Sequence, residues 1–254
     1  MNNHSGNQIL NIESVQSKMQ DAGKSEFLNL YKNLLDVFDT NERNSLACTP
    51  AVEGEKYSKR STRFMLIGRS MNGAYQHWED GLTSSEYAEK ALEYSFNRRM
   101  QFVTEKKCKG CYNHMKTSFW QLGKKTLLAL DESIDEEAWA ENIVWSNLYK
   151  VAHFKGGNPD SRSKELQLSA CIKILEFEID VFKPTHILFV TNWDWFEVYN
   201  EGLLKIEKFN SDKIVAKGVY SKNSKVVVCI RPELKKRQPI VEDIVKEFNG
   251  MRCN

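Results

Sequence analysis

Polar and basic side chains lie at the ends of four short apolar runs or just after them, and these side chains are the candidates for chemistry. The runs lie at 64–68, 143–149, 186–191 and 225–230. Asn72 and Asn147 carry amides, which both donate and accept hydrogen bonds, and Arg231 carries a guanidinium that stays charged at every relevant pH. The run ends therefore predict a site that can read the edge of a polar ligand and hold an anion.

Segments with helical spacing separate these runs and predict the elements that position the site. Helices are expected at 84–107, 115–130 and 162–182, and Pro184 marks the end of the last one. Continuous apolar runs that alternate with helices are typical of a parallel sheet buried on both faces. We therefore predict an α/β protein, a three-layer α/β/α domain with a central, mostly parallel four-stranded sheet. In such sheets the ligand lies outside the carboxyl ends of the strands.

The first sixty residues have a different pattern. Residues 7–37 have helical spacing with a break near 21–25, and 40–62 are polar without periodicity, which favours a loop. We predict an N-terminal helical extension over 1–60 and an α/β domain over 61–254, with an additional hairpin at 203–220.

Composition limits the class of protein. The 254 residues are 41% hydrophobic and 28% charged, which is the balance of a globular protein. A net charge of +2 excludes a strongly basic nucleic-acid coating protein but leaves room for a local basic cleft. Apolar stretches are strand-sized, and the N-terminus has no basic segment followed by an apolar one. We expect a cytoplasmic protein with no membrane partner and with reduced cysteines.

The order of four motifs resembles the uracil-DNA glycosylase superfamily over about residues 60–248. The motifs are Leu66–Gly73, a strand ending at Asn147 and followed by Lys150, a Gly157-Asn158-Pro159 loop leading to a helix with Cys171, and Ile230–Glu233. The resemblance implies a uracil-DNA glycosylase-like fold and DNA as the partner, bound through its phosphates and one flipped base. It also implies DNA repair by hydrolysis of the N-glycosidic bond of a damaged or deaminated base.

The same resemblance implies roles for individual residues. Asn72 would orient the attacking water, and Arg231 would stabilise the departing anion. Asn147 would read the edge of the base. Tyr75 would stack on the base, with His77 and Trp78 as alternatives for that role. The remaining predicted contacts to base or phosphate are Gly68, Arg69, Ser70, Gly73, Lys150, Trp193, Lys235 and Lys236. For Trp193, packing beneath a loop is the competing interpretation.

Two positions depart from the family pattern and keep alternatives open. Ser70 stands where an Asp or Asn is common, and Arg231 stands where a histidine is usual. Whether the protein is an enzyme is therefore open. The alternative is a non-catalytic nucleic-acid or nucleotide-binding module on the same fold, and a third possibility is a protein-interaction role for residues 1–60.

Cysteine spacing gives little support for a metal. Cys108 and Cys111 form one Cys-x-x-Cys pair, and Cys171 lies where the iron–sulfur branches of the family have a ligand. Zinc would also need a further ligand, such as Cys48 or Cys171. We therefore expect no cofactor, with a cluster or zinc at Cys108, Cys111 and Cys171 as the alternative.

Overall fold

A computed structural model of the chain describes residues 21–72, 77–98, 100–104, 114–209, 211–221, 223–233 and 237–252. The α-helices are α1 (Asp21–Asp36), α2 (Ser84–Arg98), α3 (Gln101–Thr104), α4 (Ser118–Leu130), α5 (Ser161–Phe182), α6 (Trp193–Tyr199) and α7 (Gln238–Gly250). The strands are β1 (Leu46–Cys48), β2 (Val52–Glu53), β3 (Phe64–Gly68), β4 (Ile143–Asn147), β5 (Val151–His153), β6 (His186–Val190), β7 (Glu207–Lys208), β8 (Ile214–Tyr220) and β9 (Ser224–Cys229).

The main sheet has seven strands in the order β2-β4-β3-β6-β9-β8-β7. Strands β4, β3, β6 and β9 are parallel neighbours, and they are the four apolar runs of the sequence. Antiparallel strands extend the sheet on both sides, β2 beside β4 and β8 with β7 beside β9. The α/β class is confirmed, whereas the expected four-stranded sheet is corrected to a mixed sheet of seven strands.

Strand β3 shows why the apolar runs are continuous. Met65 and Ile67 pack on one face of the sheet with residues of α1, α2, α5 and α6. Phe64 and Leu66 pack on the other face with residues of α4 and α7. Successive side chains of a strand point to opposite faces, so a strand covered on both sides needs apolar residues at every position.

Local signals explain where the helices begin and end. The Glu86 carboxylate accepts the Thr83 backbone N–H at 2.8 Å, which closes a capping box at the start of α2. Asp160 accepts the Ser163 N–H at the start of α5, and Lys183 ends that helix in the left-handed conformation before Pro184. The expected helix at 84–107 is observed as two helices, α2 to Arg98 and α3 over Gln101–Thr104, and residues 105–107 lie outside the described residues.

The described part of the N-terminal extension belongs to the same core as the rest of the chain. Phe27, Tyr31 and Leu34 of α1 are buried in the cluster that contains β3 and β4 residues. The expected loop at 40–62 contains β1, which pairs with β5, and β2, which joins the main sheet. Strands this short carry no detectable periodicity.

The predicted hairpin at 203–220 is confirmed by the antiparallel pairing of β7 with β8. Among the described helices, none has the length and apolar character needed to cross a membrane.

Candidate functional site

A pocket of about 250 Å³ opens at the carboxyl ends of three parallel strands. Gly68 ends β3, Asn147 ends β4 and Val190 ends β6, and all three residues line the pocket. Six residues predicted from the sequence line it together: Gly68, Arg69, Ser70, Asn72, Asn147 and Arg231. The parallel register explains the convergence, because Gly68 and Asn147 are direct neighbours across β3 and β4.

Asn147 is the most informative residue of the pocket. Its side chain is 2% exposed, and its amide Nδ2 is buried without a hydrogen-bond partner in the described part of the chain. A Cβ at Gly68 would stand 2.7 Å from Asn147 Oδ1 and 3.3 Å from Phe119, so glycine is required for this close approach. An unpaired buried donor costs about 1–3 kcal/mol, which a ligand acceptor can recover.

An aromatic wall made of Phe119, Trp120 and Trp145 closes one side of the pocket. The Trp120 and Trp145 ring centroids are 5.3 Å apart, and those of Phe119 and Trp120 are 5.1 Å apart. From the sequence, Phe119 and Trp120 fit the core face of a helix more simply than a platform for a base. Trp120 is buried, but both residues also face the pocket, because α4 begins beside the end of β3.

Two hydrogen bonds join the loop after β3 to the loop before α5. Ser70 Oγ donates to Asn158 Oδ1 at 3.2 Å, and the Gly157 backbone N–H donates to Asn72 Oδ1 at 3.3 Å. Gly157 has a φ of +97°, a conformation that favours glycine. Gly157 and Asn158 carried part of the resemblance, and the structure adds them to the pocket lining.

Arg69 is held in place by the protein. Its Nε donates to the Thr191 carbonyl at 2.8 Å, and its Nη2 lies 3.9 Å from the Asp194 carboxylate. Burial, followed by the nearby Arg231 cation, lowers the pKa of Arg69 below its usual range. Two guanidiniums near one another favour an anionic group between or beside them.

Arg231 is the more accessible of the two cations. Its backbone N–H donates to Asn192 Oδ1 at 2.6 Å, and its guanidinium pairs with the Glu233 carboxylate. The side chain is 37% exposed at the pocket. An exposed ion pair is weak, so a ligand anion can compete with Glu233 for this guanidinium.

Lys150 does not lie in the pocket, which corrects its predicted contact with phosphate. Its ammonium is fully buried and lies 2.7 Å from the Glu178 carboxylate and 2.6 Å from Ser146 Oγ. Tyr31 completes this network by donating to the other Glu178 oxygen at 3.2 Å. A lysine that neutralises a buried carboxylate is not available to a ligand.

Trp193 also lies outside the pocket lining, contrary to its predicted role in substrate binding. It is half-buried at the start of α6, packs against Phe196, and has the Lys208 ammonium 4.6 Å from its ring centroid. Trp193 is one of the partly buried residues that pack against the hydrophobic core, so a packing role fits this position better than contact with a ligand. The predicted contacts Gly73, Tyr75, Lys235 and Lys236 lie outside the described residues.

The described cysteines do not form a metal site. No group of three or more His, Cys, Asp or Glu side chains in the described ranges is arranged to hold a metal ion. Burial raises the pKa of the Cys171 thiol to about 12, which disfavours the thiolate that metals require. Cys108 and Cys111 lie outside the described residues.

The arrangement combines an unpaired amide, aromatic rings and two cations around a small cavity. Among the described lining residues there is no Asp or Glu, so the pocket offers hydrogen-bond donors and positive charge without a carboxylate base. No protein-family model matches the sequence, and no curated protein matches it significantly.

Proposed function

We propose that the pocket binds one heterocyclic base flipped out of DNA, and that the protein is a uracil-DNA glycosylase-like enzyme that hydrolyses the N-glycosidic bond. The motifs that carry the resemblance support this proposal, because residues of all four line one pocket: Gly68–Asn72, Asn147, Gly157–Asn158 and Arg231. The proposal includes a cytoplasmic location and a role in DNA repair.

One observation carries the proposal. The buried, unpartnered amide of Asn147 faces a cavity of about 250 Å³ beside the Phe119 ring. That volume is below the roughly 300–1,000 Å³ of pockets for drug-sized molecules, which favours a single base over a larger ligand. Stacking of a base on an aromatic side chain contributes about 1–3 kcal/mol. Phe119 therefore takes the stacking role in this proposal, with Tyr75 outside the described residues.

The proposed reaction needs stabilisation of charge more than proton abstraction. The bond between the sugar C1′ and the base nitrogen breaks with its electron pair remaining on the base. Asn147 donates to the resulting anion, and Arg231 and Arg69 stabilise it electrostatically. Water held by the Asn72 amide then adds to C1′, and its proton is transferred to solvent or to the departed base.

A non-catalytic base-binding module is the second candidate. The absence of a carboxylate among the described lining residues favours it, because an amide orients water without deprotonating it. This module would use Asn147 and the aromatic wall in the same way. The two candidates therefore agree on binding and differ on bond cleavage.

Base release from labelled oligonucleotides tests the proposal. Oligonucleotides containing uracil, hypoxanthine or xanthine, single- and double-stranded, are incubated with the protein, and abasic sites are cleaved with alkali. We expect strand scission that falls about 10²–10³-fold in Asn147→Ala, the usual effect of losing one donor to a developing anion. Asn72→Ala tests the water-orienting role, and exposed Asn41→Ala is the matched control.

The outcomes separate the two candidates. Scission that depends on Asn147 but not on Asn41 supports a glycosylase. DNA binding at low salt without scission of any lesion supports the binding module, and neither binding nor scission contradicts both.

A further inference from the structure

Trp145 contributes a second unpaired donor among the residues that line the pocket. Its indole Nε1 is buried and has no hydrogen-bond partner in the described part of the chain, and Trp145 lines the cavity together with Asn147. Polar groups in protein interiors are almost always paired. Trp139 and Trp193 also have an unpaired Nε1, so Trp145 is singled out by its place in the pocket lining beside Asn147, where a ligand could supply acceptors to both.

Strand geometry explains why both side chains line the same cavity. Trp145 and Asn147 are two positions apart on β4, so their side chains lie on the same face of the sheet. The residue between them, Ser146, points to the opposite face, where its hydroxyl donates to Glu178 of α5. Two positions along a strand span about 7 Å between Cα atoms, a separation comparable with a single ring and its substituents.

The Trp145 ring packs against two other aromatic rings. Its centroid lies 5.3 Å from that of Trp120 and 5.5 Å from that of Phe102. Packed rings cannot rotate freely, so the indole N–H keeps its direction whether or not a ligand is present. A fixed donor discriminates between ligands because it cannot turn away from a wrong partner.

We infer that Trp145 is a specificity-determining residue, whose indole N–H donates to an acceptor of the bound base while Asn147 donates to another. This inference rests on the proposed function, since it takes a base as the ligand. A base with an oxo group facing each donor, such as uracil with its two oxo groups, satisfies both. A base that turns an amino group toward either donor leaves two donors facing one another and is rejected.

Indole NMR signals of the whole protein test the inference directly. The sequence has six tryptophans, and the signals missing from Trp145→Phe and Trp139→Phe spectra assign two of them. Trp139 is the matched control, because its Nε1 is also buried and unpaired but its side chain does not line the pocket. The probes are two single-stranded oligonucleotides that differ only in one uracil or one cytosine.

We expect the uracil oligonucleotide to move the Trp145 indole proton downfield, as a new hydrogen bond does, and to leave the Trp139 signal in place. Trp145→Phe is expected to weaken binding of this oligonucleotide about 10–100-fold and to reduce the preference over cytosine. Trp139→Phe is expected to change neither. The spectrum of the unsubstituted protein decides the question even if Trp145→Phe folds poorly.

Two results would overturn the inference, and they differ. Uracil binding that requires Asn147 but leaves the Trp145 signal and the Trp145→Phe affinity unchanged refutes the role of Trp145 and retains the proposed function. Binding of neither oligonucleotide by the unsubstituted protein refutes the proposed function and the inference with it.

Discussion

Because Gly68 has no side chain, the Asn147 amide can lie close to the end of β3 at the pocket. Asn147 Oδ1 would lie 2.7 Å from a Cβ at position 68, closer than real Cβ contacts allow. The Phe119 ring would also be touched, at 3.3 Å. Both the amide and the aromatic ring of the proposed base site therefore depend on one glycine.

Gly68→Ala is expected to impair the pocket more than the fold. Displacing the Asn147 amide should lower base binding or release at least 10-fold, while overpacking costs about 1–3 kcal/mol of unfolding free energy. Oligonucleotide assays and urea unfolding measure the two effects. Gly250→Ala, where an added Cβ meets nothing within 4 Å, is the control and should change neither appreciably. Equal activity of Gly68→Ala and the unsubstituted protein would contradict the assigned site.

The ends of the strands show which residues of the pocket could be predicted from the sequence. Arg231 was found because it follows an apolar run and Asn147 because it lies near the end of one, and the carboxyl ends of parallel strands share one edge. Trp145 was missed because an aromatic residue inside an apolar run has the same pattern whether it packs in the core or faces a cavity. Its place two positions before Asn147 was the available signal.

At the scale of elements, one face of β4 lines the pocket and the opposite face contacts α5. Trp145 and Asn147 face the pocket, while Ser146 faces α5 and bonds to Glu178. Lys150, just beyond the strand, pairs with the same carboxylate. The ion pair thus fixes the end of β4 from the side opposite the pocket.

Breaking this pair is expected to destabilise the protein strongly. Lys150→Met leaves the buried Glu178 carboxylate without a cation to neutralise it, which costs about 3–5 kcal/mol of unfolding free energy. Adding Glu178→Gln to Lys150→Met removes that charge, so the double variant should recover part of the loss. Lys32→Met, at an exposed pair with Asp36, should cost less than about 1 kcal/mol. Urea unfolding of the variants measures these differences, and additive single and double effects would contradict the buried pairing.

The elements that could be predicted from the sequence are those long enough to show a hydrophobic pattern. The four parallel strands and α5 have continuous apolar runs or a helical stripe that ends at Pro184. Strands β1, β2 and β7 have only two or three residues each, too few for any period. Burial of Lys150 was also beyond prediction, because lysine is almost always exposed unless a distant residue such as Glu178 pairs with it.

At the scale of the whole molecule, the described N-terminal residues are part of the core. Phe27, Tyr31, Leu34 and Leu35 of α1 are each at most 2% exposed. Tyr31 also supplies a hydrogen bond to buried Glu178. The sequence boundary at residue 60 therefore does not separate two independent packing units within the described chain.

A fragment of residues 61–254 is expected not to fold. Each large apolar side chain of α1 contributes about 1.5–3 kcal/mol by burial, and together they match the total stability of an ordinary domain, about 5–15 kcal/mol. Circular dichroism during urea titration should show no cooperative transition for the fragment. The full chain is the control, and a cooperative transition of the fragment would contradict the shared core.

Acid should destabilise the folded protein partly through His186. Burial, with a smaller effect of Lys225, lowers the pKa of His186 to about 4 in the folded state. The unfolded chain has a pKa near 6.5, so it binds the proton first as the pH falls, and stability is lost between about pH 6.5 and 4. The loss is at most about 1.4 kcal/mol for each pH unit in that interval. His186→Gln should flatten this part of the stability profile, exposed His153→Gln should not, and equal slopes would contradict the assignment.

The main sheet ends on each side in a strand of two residues, β2 at one border and β7 at the other. Long unpaired borders let strands of separate molecules join, which is a common start of aggregation. Strand β7 pairs only with Ala216 and Lys217 of the seven-residue β8, and β2 pairs only with Val144 and Trp145 of β4. Strand β7 also carries exposed Glu207 and Lys208. Charged side chains on so short an edge strand disfavour pairing with a strand of another molecule, so β7 opposes growth of the sheet from one molecule into the next.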